Sequence, residues 1–270
     1  TGDRLGPMVG MKEDIFELIL ENLAEISFNG ELFFSHYCEP LADRTIVEKI
    51  RRIRHRLPNT KISIFTNGDY LTADYLEELA VAGVDLVAIS IHPAADEPYS
   101  DLGVLTAISK LSVRVRQAVR FTELRPGTSV AASMDHPRMQ IKVFQDDYQK
   151  SGSNRANTAR VDWPVSFSGR NHPCLQPFIY FVVGYLGDVV PCCQIRADLP
   201  ANKSYTTGSV AEYGSIFELY ANHTAAAWRR EVASTGAKRE PCHSCIVLFP
   251  YIGSEQAGSL HQAWQQHVQQ

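Results

Sequence analysis

Four cysteines dominate the C-terminal part of the chain: Cys174, Cys192, and the pair Cys242 and Cys245 in a Cys-His-Ser-Cys turn. Four thiolates, two of them separated by two residues so that a tight turn can aim both sulfurs at one point, are the donor set of a tetrahedral metal ion or an iron–sulfur cluster. Spacing alone leaves zinc and a cluster both open. Cys193 follows one of these candidates directly and reads as a small hydrophobic filler, since alternate side chains along an extended chain point to opposite sides. Cys38 is the sixth cysteine. Six in 270 residues are too few for a disulfide scaffold, and clustered thiols in a reducing compartment indicate metal binding or catalysis.

With 44% hydrophobic and 21% charged residues, the chain has the composition of a globular protein able to bury a full core. A net charge of −4 gives no reason to expect nucleic acid or an anionic membrane as partner. The basic run Arg51-Arg52-Ile53-Arg54-His55-Arg56 reads as the solvated face and last turn of a helix, where cations suit the dipole. No stretch approaches the ~20 apolar residues of a membrane span, and the N-terminus lacks the layout of a secretion signal, so a cytoplasmic location is expected. The opening, Thr1 to Met8, is loop-like and without an initiator methionine, the expected look of an interior stretch of a longer chain.

These cysteines need elements to position them. Helical periodicity runs from Lys12 to about Ile26, and a strand is expected over roughly Glu31 to His36. Asp43 is the expected N-cap of a helix carrying Ile46, Val47, Ile50 and Ile53. Lys61 to Thr66 alternates as a strand, Thr72 caps a further helix, and Asp85 to Ile91 is an apolar run suited to a strand buried on both faces. Strand and helix thus alternate, which implies an α/β barrel or layer with its chemistry at the C-terminal strand ends: His36 to Pro40, Thr66 to Asp69 and Ser90 to Pro93. A helix near Val104 to Leu111 and strands near Val113 to Val119 and Met139 to Phe144 follow. Three segments are expected: a barrel over 1–150, a cysteine-rich domain over 151–252, and a polar helix or tail over 253–270. The second has a hairpin at Gly187-Asp188 between Phe178 to Leu186 and Val189-Val190, and a helix from about Ser215 to Val232.

The order strand, His-x-x-Glu-Pro-Leu, helix, strand, Thr-Asn-Gly, helix, strand, Ser-Ile-His resembles the barrel of radical S-adenosylmethionine (SAM) enzymes. The Cys174-x17-Cys192 and Cys242-x2-Cys245 half resembles their twitch or SPASM extension. The resemblance implies an α/β fold with a partial (β/α)6 barrel lacking its first strand, followed by a small cysteine-rich β-hairpin and helix domain. It implies SAM and an auxiliary [4Fe-4S] cluster as cofactors, the latter on Cys174, Cys192, Cys242 and Cys245. Glu39 stands where the family's Gly-Gly-Glu-Pro stretch meets the SAM amino group, although Tyr37-Cys38 replaces both glycines. Asn67, Ser90 and His92 fall on the implied SAM rim. Arg155 in Ser153-Asn154-Arg155 matches an arginine that contacts substrate hydroxyls in the aminocyclitol dehydrogenases of the family, and a planar donor fork suits a vicinal diol.

The family's defining Cys-x3-Cys-x2-Cys, which binds the SAM-cleaving cluster, does not occur in these residues. A second [4Fe-4S] cluster is therefore expected on a preceding loop missing from the sequence, and residues 1–270 by themselves are not expected to cleave SAM; a degenerate, non-catalytic iron–sulfur or zinc protein is the alternative. The implied activity is an oxidoreductase using a 5′-deoxyadenosyl radical to abstract hydrogen from a substrate carbon, with an aminocyclitol or sugar as the specific expectation and antibiotic biosynthesis as its setting. Epimerisation, with Cys193 as hydrogen-atom donor, and modification of a ribosomal peptide fit the same residues. The expected partners are a small-molecule or peptide substrate and an electron donor such as flavodoxin or ferredoxin.

Overall fold

The computed structural model describes residues 10–92, 97–147, 155–156, 169–245 and 247. The expected tail over 253–270, the start at Thr1 to Met8, Pro93 and Ser151 to Asn154 lie outside them. The first unit alternates helices and strands: α1 (Glu13–Glu25), β1 (Glu31–Phe34), α2 (Ile46–Arg56), β2 (Lys61–Thr66), α3 (Ala73–Ala82), β3 (Leu86–Ser90), α4 (Asp101–Val115), β4 (Val119–Arg125), β5 (Ser129–Met134) and β6 (Gln140–Asp146). These strands form one sheet in the order β1-β2-β3-β6-β5-β4. β1, β2, β3 and β6 are parallel, and β5 and β4 complete the sheet antiparallel. The α/β class with a parallel core is thus present, with β1 at one edge. The sheet departs from a continuous βα alternation only in its last hairpin.

Sequence explains most of these elements directly. Thr72 accepts a hydrogen bond from the Tyr75 amide, as an N-cap should, and Gly83 ends α3 at φ +104°. Ile62 and Ile64 on β2 and Val87 and Ile89 on β3 are fully buried, packed against Ile50, Leu79 and Ile108 from α2, α3 and α4. Two expectations fail and one hairpin was not expected, each for an identifiable reason. Val113 to Val119 is not a strand, because Val104, Ile108, Leu111 and Val115 bury one helical stripe and carry α4 to Val115, leaving Val113 79% exposed. Asp43 does not cap α2 itself: its Oδ1 accepts from the Thr45 amide and hydroxyl in the turn before the helix. The β4–β5 hairpin was signalled by Pro126-Gly127, where Gly127 takes φ +66° and the Thr128 amide bonds to the Arg125 carbonyl at 3.0 Å.

The second unit contains α5 (Gln176–Ile179), β7 (Val182–Val183), β8 (Asp188–Val190), a 3₁₀ turn (Pro200–Tyr205), β9 (Gly208–Ser209), α6 (Val210–Tyr213), α7 (Ile216–Ala221) and α8 (His223–Ala233). The expected hairpin is there, with Gly187 at φ +89°. Its first arm is shorter than Phe178 to Leu186, because Pro177 opens a helical turn that occupies residues 176–179. The helix expected over Ser215 to Val232 is two helices. Asn222, extended at ψ 158°, caps α8 through the Ala225 amide and donates to the Thr207 carbonyl at 2.8 Å, so a local cap and a long-range bond break the periodic run.

Arg54 corrects the reading of the basic run as a solvated face. Its guanidinium donates to the carbonyls of Pro58, Thr60 and Gly83 and to Asp85 Oδ2, all at 2.6–2.8 Å, and Asp85 Oδ2 also accepts from the Ile62 amide. It pins the segments entering β2 and β3 at the barrel end opposite the strand termini that bear the site. Arg54→Ala should cost about 2–3 kcal/mol, since charge-assisted bonds to otherwise unpaired carbonyls are lost. Urea unfolding measures it, with the exposed Arg51→Ala near zero as control.

Candidate metallocofactor site

The C-terminal end of β1 runs into a loop with unusual backbone. His36 and Tyr37 both take left-handed conformations, at φ +77° and +60°. Each costs roughly 1–2 kcal/mol for a residue with a Cβ. The compensation comes from the cysteine-rich unit: the Tyr37 hydroxyl donates to the Gln194 carbonyl at 2.9 Å, and His36 Nε2 lies 2.9 Å from the Ile195 carbonyl. The guanidiniums of Arg155 and Arg196 lie 5.6 and 5.5 Å from the Tyr37 ring centroid, within cation–π range. Arg196 is itself held by Asp198 through two bonds at 3.1 and 2.7 Å. The loop that replaces the family's glycines is therefore bolted to the segment following Cys192.

Glu39 closes the same loop onto β2. Its Oε1 accepts from the Leu41 amide at 3.0 Å and the Thr66 hydroxyl at 2.6 Å, and Oε2 accepts from the Asn67 amide at 2.8 Å. Asn67 turns its side chain into its own turn, accepting from the Asp69 amide and donating to Asp69 Oδ2. Gly68 completes that turn at φ +79°, where a Cβ would fall 2.9 Å from Ile89 Cγ2. Ser90 ends β3, and His92 follows two residues beyond it. Burial and the charge of Arg155 hold the His92 imidazole below its usual pKa, so Arg155, His92 and Tyr37 share one region at the strand ends. Cys38 donates to the Ser35 carbonyl, and burial with the neighbouring Glu39 charge raises its thiol to about 11, so it stays protonated.

The four cysteines come from three separated segments. Cys174 precedes α5, and its amide bonds to the Val232 carbonyl at the end of α8; Cys192 follows β8; and the Cys245 amide returns to the Cys242 carbonyl at 3.2 Å. Burial raises the thiols of Cys174, Cys192 and Cys242, the last to about 12, and a further upward push on each comes from the charges of other cysteines in the set. The amides of Gln176 and Gln194 donate to Cys174 and Cys192 respectively. Fold and turns thus bring the four thiols into one electrostatic neighbourhood. Among the described residues no three His, Cys, Asp or Glu side chains converge on a point suited to one ion.

The surroundings fit an anionic group held by these thiols. Arg170 is 1% exposed; its Nε donates to the Cys245 carbonyl at 3.2 Å, its Nη2 lies 3.7 Å from Cys245 Sγ, and its Nη1 has no partner. His172 Nε2 and Gln176 Oε1, flanking Cys174, are also buried without partners. Sequence reading missed Arg170, and also Tyr37 and Arg196. The visible signals were the placement of Arg170 four residues before Cys174 and the Arg-x-Asp pair at 196 and 198.

With that geometry in place, comparison with known proteins is direct. Residues 6–121 match the radical SAM superfamily, and residues 174–246 match the SPASM iron–sulfur cluster-binding domain. These two domains, in this order, are those of a radical SAM enzyme with a SPASM-type domain, and the cofactors they bring are SAM and an auxiliary [4Fe-4S] cluster. Among characterised proteins it is similar to the S-adenosyl-L-methionine-dependent 2-deoxy-scyllo-inosamine dehydrogenase of Niallia circulans, 22% identical over 236 residues that make up 87% of this chain and 80% of that one. The crystal structure of BtrN in complex with AdoMet and 2-DOIA shares the fold, at TM-score 0.61 and 20% identity over 88% of this chain and 81% of that chain. So does selenomethionine BtrN in an open conformation, at TM-score 0.56 and 18% identity over 87% and 78%. Among the described residues no helix is long and apolar enough to cross a membrane.

The His36 contact makes stability pH-dependent in a defined direction. Burial lowers its pKa below the ordinary 6.5, with Arg196 adding to the shift and the Ile195 bond and Asp198 opposing it. The unfolded chain therefore binds more protons as the pH falls through 6.5, and stability present above that value is lost below it. The urea midpoint should fall between pH 7.5 and 5.5, and His36→Gln should flatten the slope.

Proposed function

We propose that Cys174, Cys192, Cys242 and Cys245 ligate the auxiliary [4Fe-4S] cluster, and that the enzyme dehydrogenates a small polyhydroxylated substrate of the aminocyclitol or sugar type. The supporting observation is the half-buried set of four thiols joined through the Gln194–Ile195 segment to Tyr37 and thence to Arg155 at the strand ends. When bound, the cofactors supply hydrogen-atom abstraction and a one-electron acceptor, so that an alcohol carbon can give up a hydrogen atom, a proton and an electron to become a ketone.

The chain's own residues bind and orient. On this reading residues 1–150 are the SAM-binding barrel and 151–252 the cluster domain. Glu39 shapes the SAM rim by fixing Thr66 and Asn67, with Asn67, Ser90 and His92 as the remaining rim positions. Arg155 offers its fork to substrate hydroxyls while the Tyr37 ring limits where the guanidinium can lie. The similarity to a SAM-dependent aminocyclitol dehydrogenase supports this substrate class. A flavodoxin or ferredoxin would supply the reducing electron.

The test is anaerobic reconstitution with iron and sulfide quantified per chain, for residues 1–270 and for the protein extended through its upstream coding sequence. One cluster in the shorter form, lost in Cys242→Ala, is the expected result; zinc retained in place of iron would overturn the ligand assignment. In the extended protein Glu39→Ala should weaken SAM binding tenfold or more, about 1.4 kcal/mol. A merely structural iron–sulfur protein would show no SAM affinity to lose. Arg155→Lys should lower kcat/KM for the polyol at least tenfold while substrate-free SAM cleavage persists, since lysine keeps the charge without the planar fork.

A further inference from the structure

An arginine and a lysine lie buried beside the cysteines with no carboxylate paired to either among the described residues. Arg170 is 1% exposed and Lys238 5%. Among the described residues neither makes an ion pair; the Lys238 ammonium donates only to the Ser234 carbonyl and hydroxyl at the end of α8. An isolated buried charge costs several kcal/mol after relaxation, so two in one layer call for an anion in the same layer. Glu231 on α8 is engaged by Arg239 at 2.8 Å.

Arg170 is also fixed unusually firmly. Its amide donates to the His243 carbonyl at 2.7 Å, Nε to the Cys245 carbonyl, and Nη2 to the Val247 carbonyl and toward Cys245 Sγ. The preceding residue must be glycine for this approach: Gly169 sits at φ +97°, where a Cβ would fall 2.1 Å from the His243 ring. Every donor group of the guanidinium is thereby spent on the Cys242–Cys245 turn and its exit, except Nη1, which is buried and without a partner.

We infer that Arg170, seconded by Lys238, is a positioning residue that raises the reduction potential of the auxiliary cluster, Arg170 donating through Nη1 toward the cluster sulfurs while both cations offset the cluster's negative charge. The inference rests on the ligand assignment made under the proposed function. Its physical basis is that reduction adds an electron to an already anionic cluster, and fixed positive charge and donors to sulfur favour the more negative state. The consequence for the reaction is a cluster better able to take the substrate's second electron.

The experiment is an EPR-monitored redox titration of the reconstituted protein with Arg170→Met, Arg170→Lys and Lys238→Met, each checked for iron, sulfide and fold by circular dichroism. The cysteine content permits a single four-cysteine cluster in residues 1–270, so the signal has one source. Arg170→Met is expected to keep iron and shift the reduced-to-oxidised ratio at fixed potential at least tenfold toward oxidised, about 59 mV for a one-electron couple. Lys238→Met should shift the same way by less, and Arg170→Lys should recover part of the loss. Wild-type potential in an iron-replete Arg170→Met protein overturns the inference. If Arg170→Met loses iron, retention of the cluster in Arg170→Lys, with a lowered potential in Lys238→Met, supports it, whereas iron loss from both folded arginine variants reduces Arg170 to a clamp on the turn and overturns it. Wild-type protein that binds no iron refutes the ligand assignment instead, a result separate from any shift in potential.

Discussion

The site depends on one contact between units, the seating of the His36–Tyr37 loop on the carbonyls of Gln194 and Ile195. Two consecutive non-glycine residues in the left-handed region store a few kcal/mol of backbone strain, and such strain persists only where the surroundings over-determine it. Here the surroundings are the two carbonyls and the guanidiniums of Arg155 and Arg196 around the phenol ring. The loop that borders the barrel mouth and the segment that follows Cys192 are therefore not independent. Displacing one releases the strain of the other.

The two units share more than that contact. Val189, Val210, Ile216 and Leu219 from the second unit belong to the same hydrophobic core as the barrel helices, and Asn22 on α1 accepts the Ile216 amide at 2.9 Å. Tyr180 packs edge-on against Phe33, which in turn contacts Phe65 of the neighbouring strand, so aromatic rings from both units meet over the sheet. Apolar burial supplies the bulk of the docking, while the polar contacts at His36, Tyr37 and Asn22 fix its register.

Electrostatics sorts the cysteines by role. Cys174, Cys192 and Cys242 are held protonated by burial but face fixed cations or amide donors that favour the thiolate once a metal arrives, so loading exchanges protons for iron. Cys38 lies beside the carboxylate of Glu39, has only the Ser35 carbonyl as partner, and remains an ordinary thiol.

Periodic apolar spacing and local caps determined α1, α2, α3, β2 and β3 from the sequence, because each of those signals is a property of residues within a turn or two of one another. The four cysteines and the resemblance carried by Glu39, Thr66-Asn67-Gly68 and Ser90 were legible for the same reason: they are short motifs. What failed in the sequence reading depended on distant partners. The run ending at Val232 is cut at Asn222 by the Thr207 carbonyl, and the basic run yields Arg54 to carbonyls between 58 and 83. Arg170 looked like any arginine near a cysteine. Only the fold removed it from water and, among the described residues, from any carboxylate partner, and the cost of a buried, unbalanced charge is what gives it meaning.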